Sequence, residues 1–330
     1  MSTPSSANVV PPSAEAPAAA RHPWRGYFLI AAATLCWAAA ATAGKAVFSG
    51  RLFTGHAEIS PLILSQTRAT VADALLWAFL LLRYGPRFLR ISPRDLLLCF
   101  LVGTLGLAGS NFFYYVAIQK ATVAIAITLQ YLAPVWVLLA MVLWGRERAT
   151  LRRLGAVLLA MAGCALTIGF FQAGQRFSTV GVAAGVMASF SFAFYNIGAQ
   201  RLVSRHHPFQ VMAYTLLGTA ILWGVLNPPW RLLAQDYSGG QWAFLFLFAC
   251  ISMLLPYFFY FSGLKYLDPT RAVIASCLEP VFAILFAAMF VHEGLHMWQI
   301  VGIIAVLCAT VMVQPRAPER PAGMKDRVSW

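Results

Sequence analysis

The sequence predicts an all-α polytopic membrane protein, with ten transmembrane helices arranged as two inverted-topology five-helix repeats. Three observations predict it. The chain of 330 residues is 60% apolar and 11% charged, with a mean hydropathy of +0.71, whereas a soluble domain carries roughly 25% charged residues. Apolar stretches long enough to cross a bilayer recur along its length. Finally, the stretch from residue 124 to 147 returns 146 positions later, with Pro134 falling on Pro280, Val135 on Val281, Leu132 on Leu278 and Glu147 on Glu293.

A helix of about 20 apolar residues spans the roughly 30 Å hydrocarbon core. Such segments are assigned to 27–48, 61–82, 96–117, 122–144, 154–171, 179–200, 210–227, 242–264, 270–291 and 298–314. Sorting the 24 Lys and Arg residues by loop puts eighteen on one side and five on the other, with Arg68 inside a helix. Basic residues mark the cytoplasmic loops, so both termini are expected in the cytoplasm of a bacterial-type inner membrane. The net charge of +13 therefore reports orientation, and nucleic acid is excluded as a partner.

The expected blocks are a disordered tail over 1–24, a first repeat over 25–171, a second over 172–315 and a tail over 316–330. Five helices per half make the second copy cross in the opposite sense. Glu147 then belongs at the cytoplasmic face and Glu293 at the outer one. Inverted repeats let two pseudo-symmetric halves open alternately around a midplane site, as secondary transporters do.

Gly103, Gly106 and Gly109, the Gly181-x-x-x-Gly185 pair and the alanines from 38 to 42 suit close helix approach. Trp24, Trp144, Trp230, Trp242 and Trp298 stand at span ends, where the amphipathic ring prefers the interface. The six cysteines fall inside apolar runs without a Cys-x-x-Cys pair and read as free thiols.

In this frame several pieces carry a family resemblance: Trp37 with Lys45, Pro61 leading to Arg68, the Tyr114-Tyr115-Val-Ala-Ile-Gln-Lys120 end of helix 3, and Pro134 followed by Glu147, Gly155 and Gly163. The second half repeats them as Gly263-Leu-Lys-Tyr-Leu, Leu278-Glu279-Pro280, Glu293-Gly and Gly302. The chain thereby resembles the drug/metabolite transporter superfamily, in particular its EamA-type members built from two EamA domains. It departs from the pattern where Glu293 to Gly302 runs one residue longer than Glu147 to Gly155, where Thr310 stands near the match for Gly163, and where helix 6 lacks a counterpart of Trp37. The resemblance implies a ten-helix carrier with a central cavity that moves small organic metabolites, often amino acids or related compounds outward. It implies neither ATPase nor cofactor, and places helices 5 and 10 at the periphery.

Two carboxylates, Asp73 and Glu279, lie well inside predicted helices. Glu279 is about nine residues into helix 9, hence roughly 14 Å deep. Desolvation there penalises its charged form, which suits it to exchange a proton or hold a substrate ammonium. The alternative is an acid that bonds backbone groups freed by Pro280. Arg68 is the complementary candidate for a substrate carboxylate or phosphate, against a scaffold role. Five residues at about 100° each put Arg68 and Asp73 about 140° apart, so they do not pair on one helix face. Asn111, Tyr114, Tyr115, Gln130, Tyr131, Tyr195, Asn196, Tyr257, Tyr260 and Ser276 add hydroxyls and amides that must find partners, either a metabolite or neighbouring helices. As a set they suit a pocket that stacks a ring. Pro134 and Pro280 are hinge candidates, against static kinks.

The expected function is export of amino acids or related, including aromatic, compounds by alternating access. Uptake or exchange of another class such as nucleotide-like compounds is the alternative, and a passive pore or sensor a third class. Protons and a second copy of the chain are carried as candidate partners beside substrate and bilayer. One enzyme reading competes: His292-Glu293-Gly294-Leu295-His296 matches the H-E-x-x-H zinc-protease pattern. Against it, Glu293 is explained by its twin Glu147, Gly294 interrupts the helix, and the motif falls at the outer face, so no metal site is assigned. Stoichiometric zinc in the purified protein, lost in His292→Ala, is the result that would restore the protease; metal-free protein is expected.

Overall fold

The computed structural model describes residues 23–48, 59–121, 123–170, 178–291 and 296–314. Helix starts follow from local chemistry. Ser60, Ser92, Thr150, Ser178, Ser238 and Asp268 each accept a first-turn backbone N–H through their side chains, which satisfies donors that the helix cannot. After Ser60, Ser92 and Asp268 a proline supplies the first helical residue, where its missing N–H costs nothing.

The described residues form ten legs and no strand. The first half comprises α1 (Pro23–Phe48), α2 (Pro61–Tyr84), a third leg of α3 (Pro93–Leu101), a π-helical turn π1 (Val102–Ala108) and α4 (Gly109–Lys120), a fourth of α5 (Val123–Gln130) and α6 (Ala133–Leu143), and α7 (Leu151–Ile168). The second half comprises α8 (Thr179–Val203), α9 (Pro208–Leu226), the short α10 (Pro229–Leu233), an eighth leg of α11 (Gly239–Ala249), π2 (Cys250–Leu254) and α12 (Leu255–Leu264), a ninth of α13 (Pro269–Ser276) and α14 (Leu278–Val291), and α15 (Met297–Met312). Seven segments are long and apolar enough to cross a membrane: Pro93–Ile118, Ile125–Leu143, Leu151–Ile168, Thr179–Val203, Pro208–Leu226, Gly239–Leu264 and Pro269–Phe286. Met297–Met312 is a shorter apolar helix. α2, at 24 residues, carries Arg68 and Asp73 within it. The expected spans and the observed legs agree to within a few residues. The tails over 1–22 and 315–330, Arg51, Arg176 and the His292-Glu293 stretch lie outside the described residues.

The halves interlock. α1 packs on α12, α13 and α14 of the second half, and α8 packs on π1, α4, α5 and α6 of the first. α2 lies along α9, and α7 and α15 form the most extensive helix pair, so legs five and ten hold each other at the side of the bundle. Side chains are missing where backbones meet. A Cβ on Gly103 would stand 2.2 Å from the carbonyl oxygen of Thr215, and one on Gly106 3.0 Å from Cα of Tyr195. Gly163 and Gly302 face each other across α7 and α15, where a Cβ on either would lie 2.9 or 2.7 Å from the other's carbonyl oxygen. Trp24, Trp144, Trp230 and Trp298 are exposed at helix ends, and the six cysteines are free thiols.

Gly103→Ala and Gly163→Ala are expected to lower stability in detergent by about 1–3 kcal/mol each, since a backbone atom must move to admit the methyl group. Gly224→Ala, with nothing within 4 Å, is expected to leave it unchanged or raised. Melting temperatures and monodisperse yield check both outcomes.

Candidate functional site

The helical legs are irregular in paired places. A proline cannot donate to the carbonyl four residues earlier, so Pro134 and Pro280 free the carbonyls of Gln130 and Ser276. The fourth leg accordingly breaks at Tyr131 and Leu132, and the ninth at Cys277. The two π turns also match, since Cys250–Leu254 is Val102–Ala108 moved by 146 residues and trimmed at its start. A π turn widens the ring of hydrogen bonds and often marks a functional position.

These irregularities position a charged pair. Asn111, one turn past π1, donates Nδ2 to the Leu107 carbonyl at 2.8 Å. Its Oδ1 accepts Nη2 of Arg68 at 3.0 Å. A guanidinium has five N–H donors, so Arg68 is aimed by the π turn and keeps donors for another group. Glu279 sits in the first turn of α14, just after the break, about 15 Å from the start of its leg. The Tyr131 hydroxyl, from the opposing break, donates to Glu279 Oε2 at 3.3 Å. Arg68 acts electrostatically on Glu279, but among the described residues no ion pair joins them. Tyr114 and Tyr257 feel both charges and the Tyr115 hydroxyl as well. Arg68, Asn111, Tyr114, Tyr115 and Glu279 are each only half-buried, although they lie deep along their legs.

The other candidates go elsewhere. Tyr195, Asn196, Tyr260 and Ser276 are fully buried. Tyr260 donates its hydroxyl to Asn196 Oδ1, Asn196 Nδ2 donates to the Phe192 carbonyl at 2.8 Å and Ser276 donates to the Val273 carbonyl at 2.7 Å. The first bond ties α12 to α8, and the other two stay within α8 and α13. Gln130 donates to Ser110 Oγ at 2.9 Å. Asp73 is buried and away from Arg68, one turn before Trp77, as the 140° separation requires. Sequence reasoning missed Asn111 as the holder of Arg68, because nothing announces the π turn that fixes it. It also left Trp37 as a family marker, whereas that ring packs on Tyr257 and Tyr260 with centroids 5.3 and 5.2 Å away. Its place in mid-helix, unlike the tryptophans at span ends, was the available signal. Among the described residues no cluster of His, Cys, Asp and Glu could hold a metal. His296 is the residue capping α15, and the rest of the H-E-x-x-H stretch lies outside the described residues.

The model of the EamA-like transporter family matches twice, over residues 24–169 and 179–314. An uncharacterised transporter of Archaeoglobus fulgidus is 29% identical over 213 residues, covering 63% of this chain and 74% of its own. The threonine/homoserine exporter RhtA of Salmonella typhimurium is 27% identical over 252 residues, covering 75% and 80%. A solved crystal structure superposes with a TM-score of 0.70 at 19% identity, covering 87% of this chain and 96% of the other; at that identity the likeness speaks for the fold.

Outside the site, every ion pair among the described residues lies at one end of the bundle. Arg153 meets Glu147 at 2.8 Å, Arg205 and His206 meet Asp95 at 3.6 and 2.8 Å, and Arg271 meets Asp268 at 3.0 Å. These are the loops to which the count of basic residues gives one side. Burial and the nearby Asp268 carboxylate hold the Glu147 carboxyl above the usual glutamate range, against the pull of Arg153 and Arg271. A carboxyl raised on folding contributes stability that is present below its unfolded value and is lost as the pH rises through its folded one. The melting temperature is therefore expected to fall relative to that of Glu147→Gln as the pH is raised from about 4.3, the unfolded value. A temperature difference that does not change with pH would refute this account.

Proposed function

The chain belongs to the EamA-like transporter family, and on that premise we propose that it exports amino acids or closely related zwitterions by alternating access. It is an integral membrane transporter, not an enzyme. The observation that carries the finer reading is the separation of Arg68 and Glu279. Two opposite charges deep in a membrane protein normally neutralise each other, because an unpaired charge in low dielectric is costly. Here Arg68 is turned onto neutral Asn111 and Glu279 onto neutral Tyr131. A zwitterion presents a carboxylate and an ammonium a few ångströms apart and completes both groups at once. The printed name of the Salmonella relative, a threonine/homoserine exporter, supports that substrate class and direction. Tyr114 and Tyr257 beside the charges, with Trp37 behind Tyr257, favour a side chain that is apolar or aromatic. The breaks near Pro134 and Pro280 are where the fourth and ninth legs bend between the two access states.

Proteoliposomes loaded with single labelled amino acids test this reading. Efflux stimulated by unlabelled amino acid on the far side is expected, since a carrier shows trans-stimulation and a pore does not. Arg68→Ala and Glu279→Gln each remove a charge-assisted contact worth about 1.5–3 kcal/mol, so transport efficiency should fall about tenfold or more. The reading fails if no amino acid is carried or if both folded variants match the unmodified protein.

A further inference from the structure

We infer that Tyr131 is a positioning residue of the empty carrier: its hydroxyl ties the break of the fourth leg to that of the ninth through Glu279, and a substrate ammonium replaces it. The inference rests on the zwitterion reading. Tyr131 is itself the break residue, standing in the turn between α5 and α6, and Glu279 is the second residue of α14. The 3.3 Å contact therefore joins two bends that belong to different repeats.

The bond is asymmetric. The position matching Tyr131 is Cys277, whose thiol is turned onto the Val273 carbonyl at 3.6 Å, and the position matching Glu279 is Ala133. No second copy of the latch can form from the paired residues. Tyr131 is almost fully buried, so its hydroxyl cannot turn to bulk water when Glu279 is taken by another donor. The latch and the substrate compete for one carboxylate.

A consequence follows for the transport cycle. Changing access requires closing over the site, and a carboxylate left without a donor in a closed, dry interior resists that closure. The loaded carrier closes with the ammonium on Glu279; the empty carrier closes with the Tyr131 hydroxyl in its place. Removing the hydroxyl should spare the loaded transition and block the empty return, which turns a carrier capable of net flux into an exchanger.

Proteoliposomes carrying the full chain distinguish these fluxes. In Tyr131→Phe, exchange of labelled for unlabelled amino acid should stay within about twofold of the unmodified protein, while net efflux into substrate-free buffer falls about tenfold. Glu279→Asp, which draws the acid back by one methylene, should lower the ratio of net to exchange flux in the same direction. A merely structural role would lower both fluxes together. The inference is overturned if either folded variant keeps the unmodified ratio, as when a proton on Glu279 suffices for the empty return, or if the unmodified protein exchanges without net efflux. Absence of any amino-acid transport by the unmodified protein would instead overturn the zwitterion reading.

Discussion

Hydrocarbon offers no partner to a backbone N–H or C=O, so a chain inside it must be helical wherever it is not lined by its own polar groups. That constraint organises this protein. Its third, fourth, eighth and ninth legs depart from regular α-helix at π1, at Tyr131–Leu132, at π2 and at Cys277, and polar side chains gather beside the departures. Asn111 takes up the Leu107 carbonyl from π1, and Cys277 donates its thiol to the Val273 carbonyl next to the ninth leg's break. The irregular backbone and the polar site are one feature. π1 holds Asn111 and through it Arg68, and the breaks of the fourth and ninth legs carry Tyr131 and Glu279.

Close packing makes those directions durable. Gly103 and Gly106 bring π1 against the backbones of α9 and α8, so the irregular turn is clamped from two sides rather than left to fluctuate. The support of Arg68 is thus a short chain of contacts running from a glycine-lined interface through Leu107 and Asn111 to the guanidinium. Around Glu279 the support is lighter, a single hydroxyl from the opposite repeat. The cationic half of the site is built into one repeat and the anionic half is shared between the two.

Much of this was legible in the residues, and the failures have definite causes. Helix positions could be read because apolar length is dictated by the bilayer, and the duplication because Pro134, Glu147 and their counterparts survive at a fixed spacing. The absence of an Arg68–Asp73 pair followed from helical geometry. The exact breaks were not legible: the prolines marked them, but the chain turns two to three residues earlier, just after the carbonyls that the prolines cannot satisfy. Tyr195, Asn196, Tyr260 and Ser276 stood with the site candidates because a sequence does not reveal which face of an all-apolar helix looks inward and which meets a neighbour. Hydrogen bonds turn Asn196, Tyr260 and Ser276 inward, and Tyr195 is packed away from open space altogether. Tyr114 and Tyr260, twins by spacing, end in different surroundings, one half-buried beside Glu279 and the other sealed against Asn196. Duplication preserved the frame while single positions diverged.

The interlocking of the repeats reaches into biosynthesis. α1 is made early, yet the surfaces it packs on, α12 to α14, follow only after more than two hundred further residues. Until then its small-residue face has no partner within the chain and must be shielded by lipid or by the insertion machinery. The first half therefore cannot mature as a finished unit that waits for the second. A product truncated before them would leave both α1 and the Arg68 guanidinium short of their native surroundings, which makes the eighth and ninth legs a built-in checkpoint for the whole chain.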